Sequence, residues 1–253
     1  MTDACLSRDL ADGIATLTLN RPDKSNAFDQ DMWRALREAL QWADDTPEVR
    51  VVLLTGAGKN FCAGIDLAML LNIQQAIHQE CEGRKREALR RLILQLQDDI
   101  SSLERCRKPV IAAIHGACIG GGIDLVTAAD IRFASTDAYF AVREIDMGMT
   151  ADVGTLQRLP RIVGEGVARE LCLTGRRIDA AEAAQLKLVN QVFDSQDALL
   201  AHARQVAASI ASKSPLAVRG TKQVLNYSRD HSVADSLEYV ANWNAAMLLS
   251  NDI

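Results

Sequence analysis

Two short apolar runs, VRVVLLTG at 49–56 and VIAAI at 110–114, each pass straight into a glycine-punctuated loop. Runs this short, bounded by Gly or Pro, predict buried strands rather than helices. Lys108-Pro109 starts the second of them, because proline biases the preceding residue away from helix. The alternating, β-branched stretch GIATLTLN (13–20) predicts another strand, and IRFAS, AYFAV and VNQVF (189–193) further ones. Between them lies helical periodicity. Asp29 or a neighbour is placed to cap a helix carrying Met32, Leu36 and Leu40. Residues 67–107 read as mostly helical, interrupted around HQECEGRKRE. Their stripe of Leu89, Leu92, Ile93, Leu96, Ile100 and Leu103 has core spacing. Short helices are expected in GIDLVTAA, from Asp152 to Leu159, and in VARELCLTG. After about residue 195 the chain turns helical almost to its end, near 196–212, 215–228 and 232–249, with Ser214-Pro215 suiting a helix start. The expected organisation is an α/β core over 1–195 followed by a helical region over 196–253.

At 253 residues the chain can bury a substantial core, and 4% aromatic content leaves that core to Ala, Leu, Ile and Val. A net charge of −5 argues against nucleic acid as a partner. The basic run Arg84, Lys85, Arg86, Arg90 and Arg91 reads as a solvated helix face. Six cysteines lack CxxC or Cys/His ligand spacing, so reduced, buried thiols are expected, with no metal site. No apolar stretch is long enough to span a bilayer. The N-terminal MTDACLSRDLADG is acidic, without a long apolar run or an Arg-rich pattern, and LLSNDI is no peroxisomal tripeptide. Cytoplasmic location is the expectation.

Three acids stand among glycines and apolar residues: Asp124 in GACIGGGIDL, Glu144 in VREIDMG and Asp152 in MTADVGTLQRLP. Burying an ionised carboxylate is costly, so such contexts point to proton transfer in a sheltered pocket. Two loops offer backbone donors. In CAGID (62–66), Gly64 lets a ligand approach the backbone, and in GACIGGGID (116–124) glycines lead into a helix start with unpaired N–H groups. Neither loop has the spacing of a nucleotide-binding P-loop or of GxGxxG. Each acid also has a plainer reading: Asp124 as a first-turn helix acid, Asp152 as the cap of VGTLQRL, Glu144 as a partner of Arg143. His115 reads as a packing histidine, and Cys62 and Cys118 as small packing residues.

Four segments in order, LNRPDKSNAF, KNFCAGIDL, KPVIAAIHGACIGGGIDLVTAADIRFAS and TLQRLPRIVG, resemble the enoyl-CoA hydratase/isomerase (crotonase) superfamily. The similarity runs through most of residues 13–195. The finer resemblance is to the Δ3,5-Δ2,4-dienoyl-CoA isomerases, through CIGGGIDLVTA, REIDMG and ADVGTLQRLP with acids at the same three places. It implies a crotonase-like spiral of repeated ββα units with a C-terminal helical oligomerisation region, assembled as a trimer or a dimer of trimers. It implies an acyl-CoA thioester substrate, CoA being part of the substrate, and no separate cofactor.

Residue by residue, the resemblance implies that the amides of Ile65 and Gly121 bind the thioester oxygen. Glu144 would exchange the proton at C2 and Asp152 that at C6, with Asp124 assisting in the same pocket. Ala63, Gly64, Ile65, Asp66 and Leu67 would line the path of pantetheine and thioester. Lys24 would lie near the adenosine end, or be a solvated loop lysine. Hydratases of the superfamily carry Glu at positions 124 and 144 and typically Gly at 152. The shortened Asp124 and the added Asp152 therefore suit moving a proton along a conjugated chain better than activating water. A 2-enoyl-CoA hydratase, a Δ3-Δ2-enoyl-CoA isomerase and a non-catalytic acyl-CoA- or RNA-binding member are the alternatives.

Overall fold

The computed structural model describes residues 2–3 and 5–252. Strands β1 (Thr2–Asp3), β2 (Leu6–Ala11) and β3 (Ile14–Leu19) pair antiparallel, and helix α1 (Gln30–Asp45) leads to β4 (Val51–Gly56). Helices α2 (Leu67–Ala76) and α3 (Glu82–Arg105) precede β5 (Val110–Ile114) and β6 (Ala117–Ile119). Then come α4 (Gly121–Ala128), β7 (Ile131–Ser135), β8 (Tyr139–Ala141), α5 (Thr155–Val163) and α6 (Glu165–Thr174). Strand β9 (Ile178–Asp179), helix α7 (Ala180–Gln185) and strand β10 (Gln191–Phe193) complete the sheets. Helices α8 (Gln196–Ala211), α9 (Pro215–Ser228) and α10 (Val233–Met247) follow.

Seven strands form one sheet in the order β1-β2-β3-β4-β5-β7-β10, parallel from β3 onward. A second sheet, β6-β8-β9, carries the glycine loop at its β6 end. The continuous apolar runs have a simple cause. Val52 and Leu54 of β4 join the larger core with α1, whereas Val51 and Leu53 face the opposite way, into a cluster covered by Leu199, Ala203 and Ala207 of α8. Strand β5 repeats this, with Val110, Ala112 and Ile114 on one side and Ile111 and Ala113 on the other. A strand buried on both faces has no polar side to alternate with. Each fully buried Val or Leu contributes roughly 1.5–3 kcal/mol.

Local signals placed most helices. Asp29 caps α1, its carboxylate accepting from the Met32 amide at 2.9 Å, and Met32, Leu36 and Leu40 are buried beneath it. The break expected in 67–107 falls between α2 and α3, and Leu96, Ile100 and Leu103 form the buried stripe of α3. Four strands escaped the pattern, the two-residue β1 and β9 and the longer β2 and β6. In β2 only Leu6 is buried, and Arg8 and Asp9 hide the alternation; β6 is three residues inside a glycine loop. Helix α5 begins at Thr155, three residues later than expected, because Gly154 at φ 133° holds the chain out of helix.

Candidate active site

Two laced loops build the centre. The amide of Phe61 donates to His115 O (2.8 Å), that of Cys62 to Ala117 O (2.9 Å), and that of Ile119 to Cys62 O (2.9 Å). This brings Gly64 and Gly121 together. A Cβ on Gly64, where φ is +92°, would lie 2.9 Å from Ile119 O and 3.3 Å from the Gly121 nitrogen. One on Gly121 would lie 3.7 Å from the Ile65 nitrogen. The Phe28 amide donates to Gly64 O (2.7 Å) and the Asp66 amide to Phe28 O (2.9 Å). The intervening Ile65 amide and the Gly121 amide, at the first residue of α4, have no acceptor among the described residues. Two converging unpaired donors can stabilise an oxyanion.

Both amides border a cavity of about 400 Å³ that also meets Lys24, Ala63, Gly64, Asp66, Leu67 and Glu144. Glu144 opens a 3-10 turn after β8, and its Oε2 is buried without a partner among the described residues. Burial, opposed by local backbone hydrogen bonds and reinforced by the Asp152 charge, raises this carboxyl above the ordinary glutamate range. Arg143 does not neutralise it; that guanidinium pairs with Asp146 at 2.5 Å. Asp66 caps α2 by accepting from the Ala68 amide (2.9 Å) and holds Arg21 at 3.0 Å.

The other two acids sit elsewhere. Asp152 borders a second cavity, of about 650 Å³, with Gln97, Thr127, Arg158 and Arg161, and the two cavities share no lining residue. The residue has exposed surface, yet the protein packed around its carboxyl raises it. It is not a helix cap, since Gly154 holds that place in α5. Asp124 borders neither cavity. It is wholly buried in the first turn of α4, where its Oδ1 accepts from the amide (2.6 Å) and the hydroxyl (2.7 Å) of Thr155. Its Oδ2 has no partner among the described residues. Burial, opposed by Thr155 and reinforced by the Glu144 charge, pushes Asp124 up to about 7. The three acids thus interact in series through space while facing different surroundings.

Several supporting residues gave no functional signal in the sequence. Asn26, fully buried at φ +55°, donates to Ala57 O (2.9 Å) and Asn60 O (2.7 Å) and accepts from the Arg21 amide (2.8 Å). Asn60 ties Ser25 Oγ (3.0 Å) to the Ala117 amide (2.9 Å), joining the Lys24 loop to the glycine loop. The clustering of turn-forming residues in PDKSNA is the signal that could have found them. His115 is buried, its Nε2 3.1 Å from Gly58 O, and burial lowers it. Burial likewise pushes the Cys62 thiol up to about 12, an inert packing group.

The sequence pattern of the enoyl-CoA hydratase/isomerase family matches residues 9–249. The chain belongs to that family. It is 52% identical over 238 residues to the Arabidopsis thaliana protein named Delta(3,5)-Delta(2,4)-dienoyl-CoA isomerase, peroxisomal, covering 94% of this chain and 86% of that one. To the human protein named Delta(3,5)-Delta(2,4)-dienoyl-CoA isomerase, mitochondrial, it is 48% identical over 242 residues, 95% of this chain and 74% of the relative. Its fold is similar to that of an enoyl-CoA hydratase from Bacillus anthracis, with a TM-score of 0.89 at 32% identity over 98% of this chain and 92% of that one. This family member therefore has the crotonase-type α/β fold with C-terminal helices that the sequence resemblance implied.

One expectation is overturned. The names of these relatives place them in peroxisomes and mitochondria, against the cytoplasmic location expected from the sequence. Net charge and free thiols are shared by several compartments, whereas short address segments read by receptors decide location.

Proposed function

We propose that this family member converts a 3,5-dienoyl-CoA to the 2,4-dienoyl-CoA. The observation that carries the reading is the Glu144 carboxyl in one cavity with the free amides of Ile65 and Gly121, coupled to a second carboxyl, Asp152. Relatives named as isomerases of this kind are 41–52% identical to the chain, against 37% for one named crotonyl-CoA hydratase.

The thioester oxygen binds between the Ile65 and Gly121 amides, which gain strength as negative charge develops there. The Glu144 carboxylate removes a proton from C2, and the electron pair spreads over the oxygen, C2, C4 and C6. Asp152, in its protonated form, delivers a proton to C6. The C3–C4 and C5–C6 double bonds become C2–C3 and C4–C5, and the proton on Glu144 leaves to solvent while Asp152 regains one. Only protons move, so the reaction calls on no redox group or metal ion. General acid and base catalysis contributes typically 10²–10⁴-fold. A raised Asp152 suits the donor role, since a carboxyl of ordinary acidity holds no proton near neutrality. Ala63 to Leu67 guide the pantetheine arm, with Lys24 toward the adenosine phosphates.

The test is turnover of a 3,5-dienoyl-CoA beside a 2-enoyl-CoA. Growth of the conjugated 2,4-diene absorbance supports the reading; hydration of the 2-enoyl thioester alone replaces it with a hydratase. The exposed Leu225, Val233 and Leu237 on α9 and α10 support assembly through these helices into a trimer or a dimer of trimers.

A further inference from the structure

The segment that carries Asp152 is held at four consecutive residues. The Asp152 carbonyl accepts from Gln97 Nε2 at 2.6 Å, and the Val153 carbonyl from Arg158 Nη1 at 3.3 Å. Gly154 sits at φ +133°, a backbone conformation side-chain-bearing residues rarely adopt, and a Cβ there would fall 1.6 Å from Arg158 Nη1, whose guanidinium is held by Ser101 and Glu104. Thr155 presents both its amide and its hydroxyl to Asp124 Oδ1. The Asp152 carboxyl, by contrast, receives no hydrogen bond from another described side chain. A fixed backbone and a carboxyl hydrogen-bonded only to its own main chain describe a group set in place to act.

Of these restraints, the Thr155 clasp alone reaches the buried acid. Asp124 lines neither of the two cavities, and the hydrogen bonds of its carboxyl both go to Thr155, which follows the Asp152 segment. One oxygen of Asp124 is committed to Thr155 and the other is left unpaired in the interior, a costly arrangement for a merely structural contact.

We propose that Thr155 is a positioning residue for the distal proton donor: by clasping Asp124 Oδ1 with amide and hydroxyl together, it fixes the start of α5 and so the reach of Asp152 toward C6. This rests on the isomerase reading. Asp124 then acts through Thr155 on the far half of the reaction, while Glu144 and the two amides complete the near half without it.

The two halves can be read separately. In D2O, removal and return of the C2 proton by Glu144 labels recovered 3,5-dienoyl-CoA at C2, whereas diene formation also needs Asp152. Thr155→Val should lower kcat for diene formation roughly 10- to 100-fold, the scale of an ångström-sized misplacement, with KM and C2 exchange near wild type. Thr155→Ser should restore most of kcat. Thr155→Ala, which puts no methyl against Asp124, serves as a second removal of the hydroxyl should Thr155→Val fail to fold. Wild-type kcat in the folded Val or Ala variant overturns the inference, as does an equal loss of exchange and diene formation or a failure of Ser to rescue. Absence of the diene from the wild-type protein would instead remove the isomerase reading and this inference together.

Discussion

The carboxyl of Glu144 lies against the backbone of Gly120: a Cβ on Gly120, where φ is +52°, would come within 3.3 Å of Glu144 Oε1. Gly120 directly precedes the Gly121 amide, so the candidate base and one oxyanion donor are set against each other by a residue with no side chain. Gly120→Ala should displace the carboxyl and strain the turn, lowering kcat more than it weakens binding. Glu144→Gln removes the base and should lower isomerisation by about 10²–10⁴-fold. Titration with a non-reactive acyl-CoA should show affinity within a few-fold of wild type for the glutamine variant. Wild-type-like turnover by Glu144→Gln would end its assignment as base.

Asp152→Asn keeps the shape of the distal group and removes its proton. Diene formation should fall by a similar order, while C2 exchange in D2O persists, because Glu144 and the two amides are untouched. Loss of both activities together would place Asp152 in the near half of the chemistry instead.

Asp124 gives a pH signature in stability. Its folded value of about 7 lies above the ordinary 3.8, so between these values the folded state holds a proton that the unfolded state has released. Wild-type stability relative to Asp124→Asn should therefore decline as pH rises from about 4 to about 7, by an amount on the order of a few kcal/mol, and level off above. The charged groups facing it are Glu144 and Arg158, with the Cys62, Cys118 and Cys172 thiols nearby. Urea unfolding of both proteins across that range checks the sign, and a difference that grows with pH would contradict it.

Asn26→Ala should destabilise the fold by about 3 kcal/mol, since it leaves two carbonyls and an amide without their partner and puts Ala at φ +55°. The same loop carries Lys24 and, through Asn60, supports the glycine loop, so KM should rise as well. Denaturant midpoints and steady-state kinetics on one preparation give both quantities.

Helices with strong local signals were legible from residues alone: the Asp29 cap, the α2–α3 break and the three C-terminal helices fall within a few residues of expectation. Strand β2 was not, because a charged strand keeps no apolar alternation, and the start of α5 was not, because which φ a glycine takes is not written in its local sequence and Gly154 takes +133°. Of the candidate site, the convergence of CAGID and GGGID was foreshadowed by their glycines. Asn26 and Asn60 were not, since their roles exist only across loops more than thirty residues apart.

By itself, the sequence determined most of the strands and helices, the family and the three unusual acids, because periodicity, turn chemistry and motif order are local properties of the chain. Only tertiary structure decided what each acid faces. Glu144 opens to one cavity, Asp152 to another, and Asp124 to neither, gripped instead by a threonine thirty-one residues away. The physical reason is that a carboxyl's proton affinity is set by solvent, charge and donors in three dimensions, and chains that fold back on themselves bring those together without regard to sequence distance.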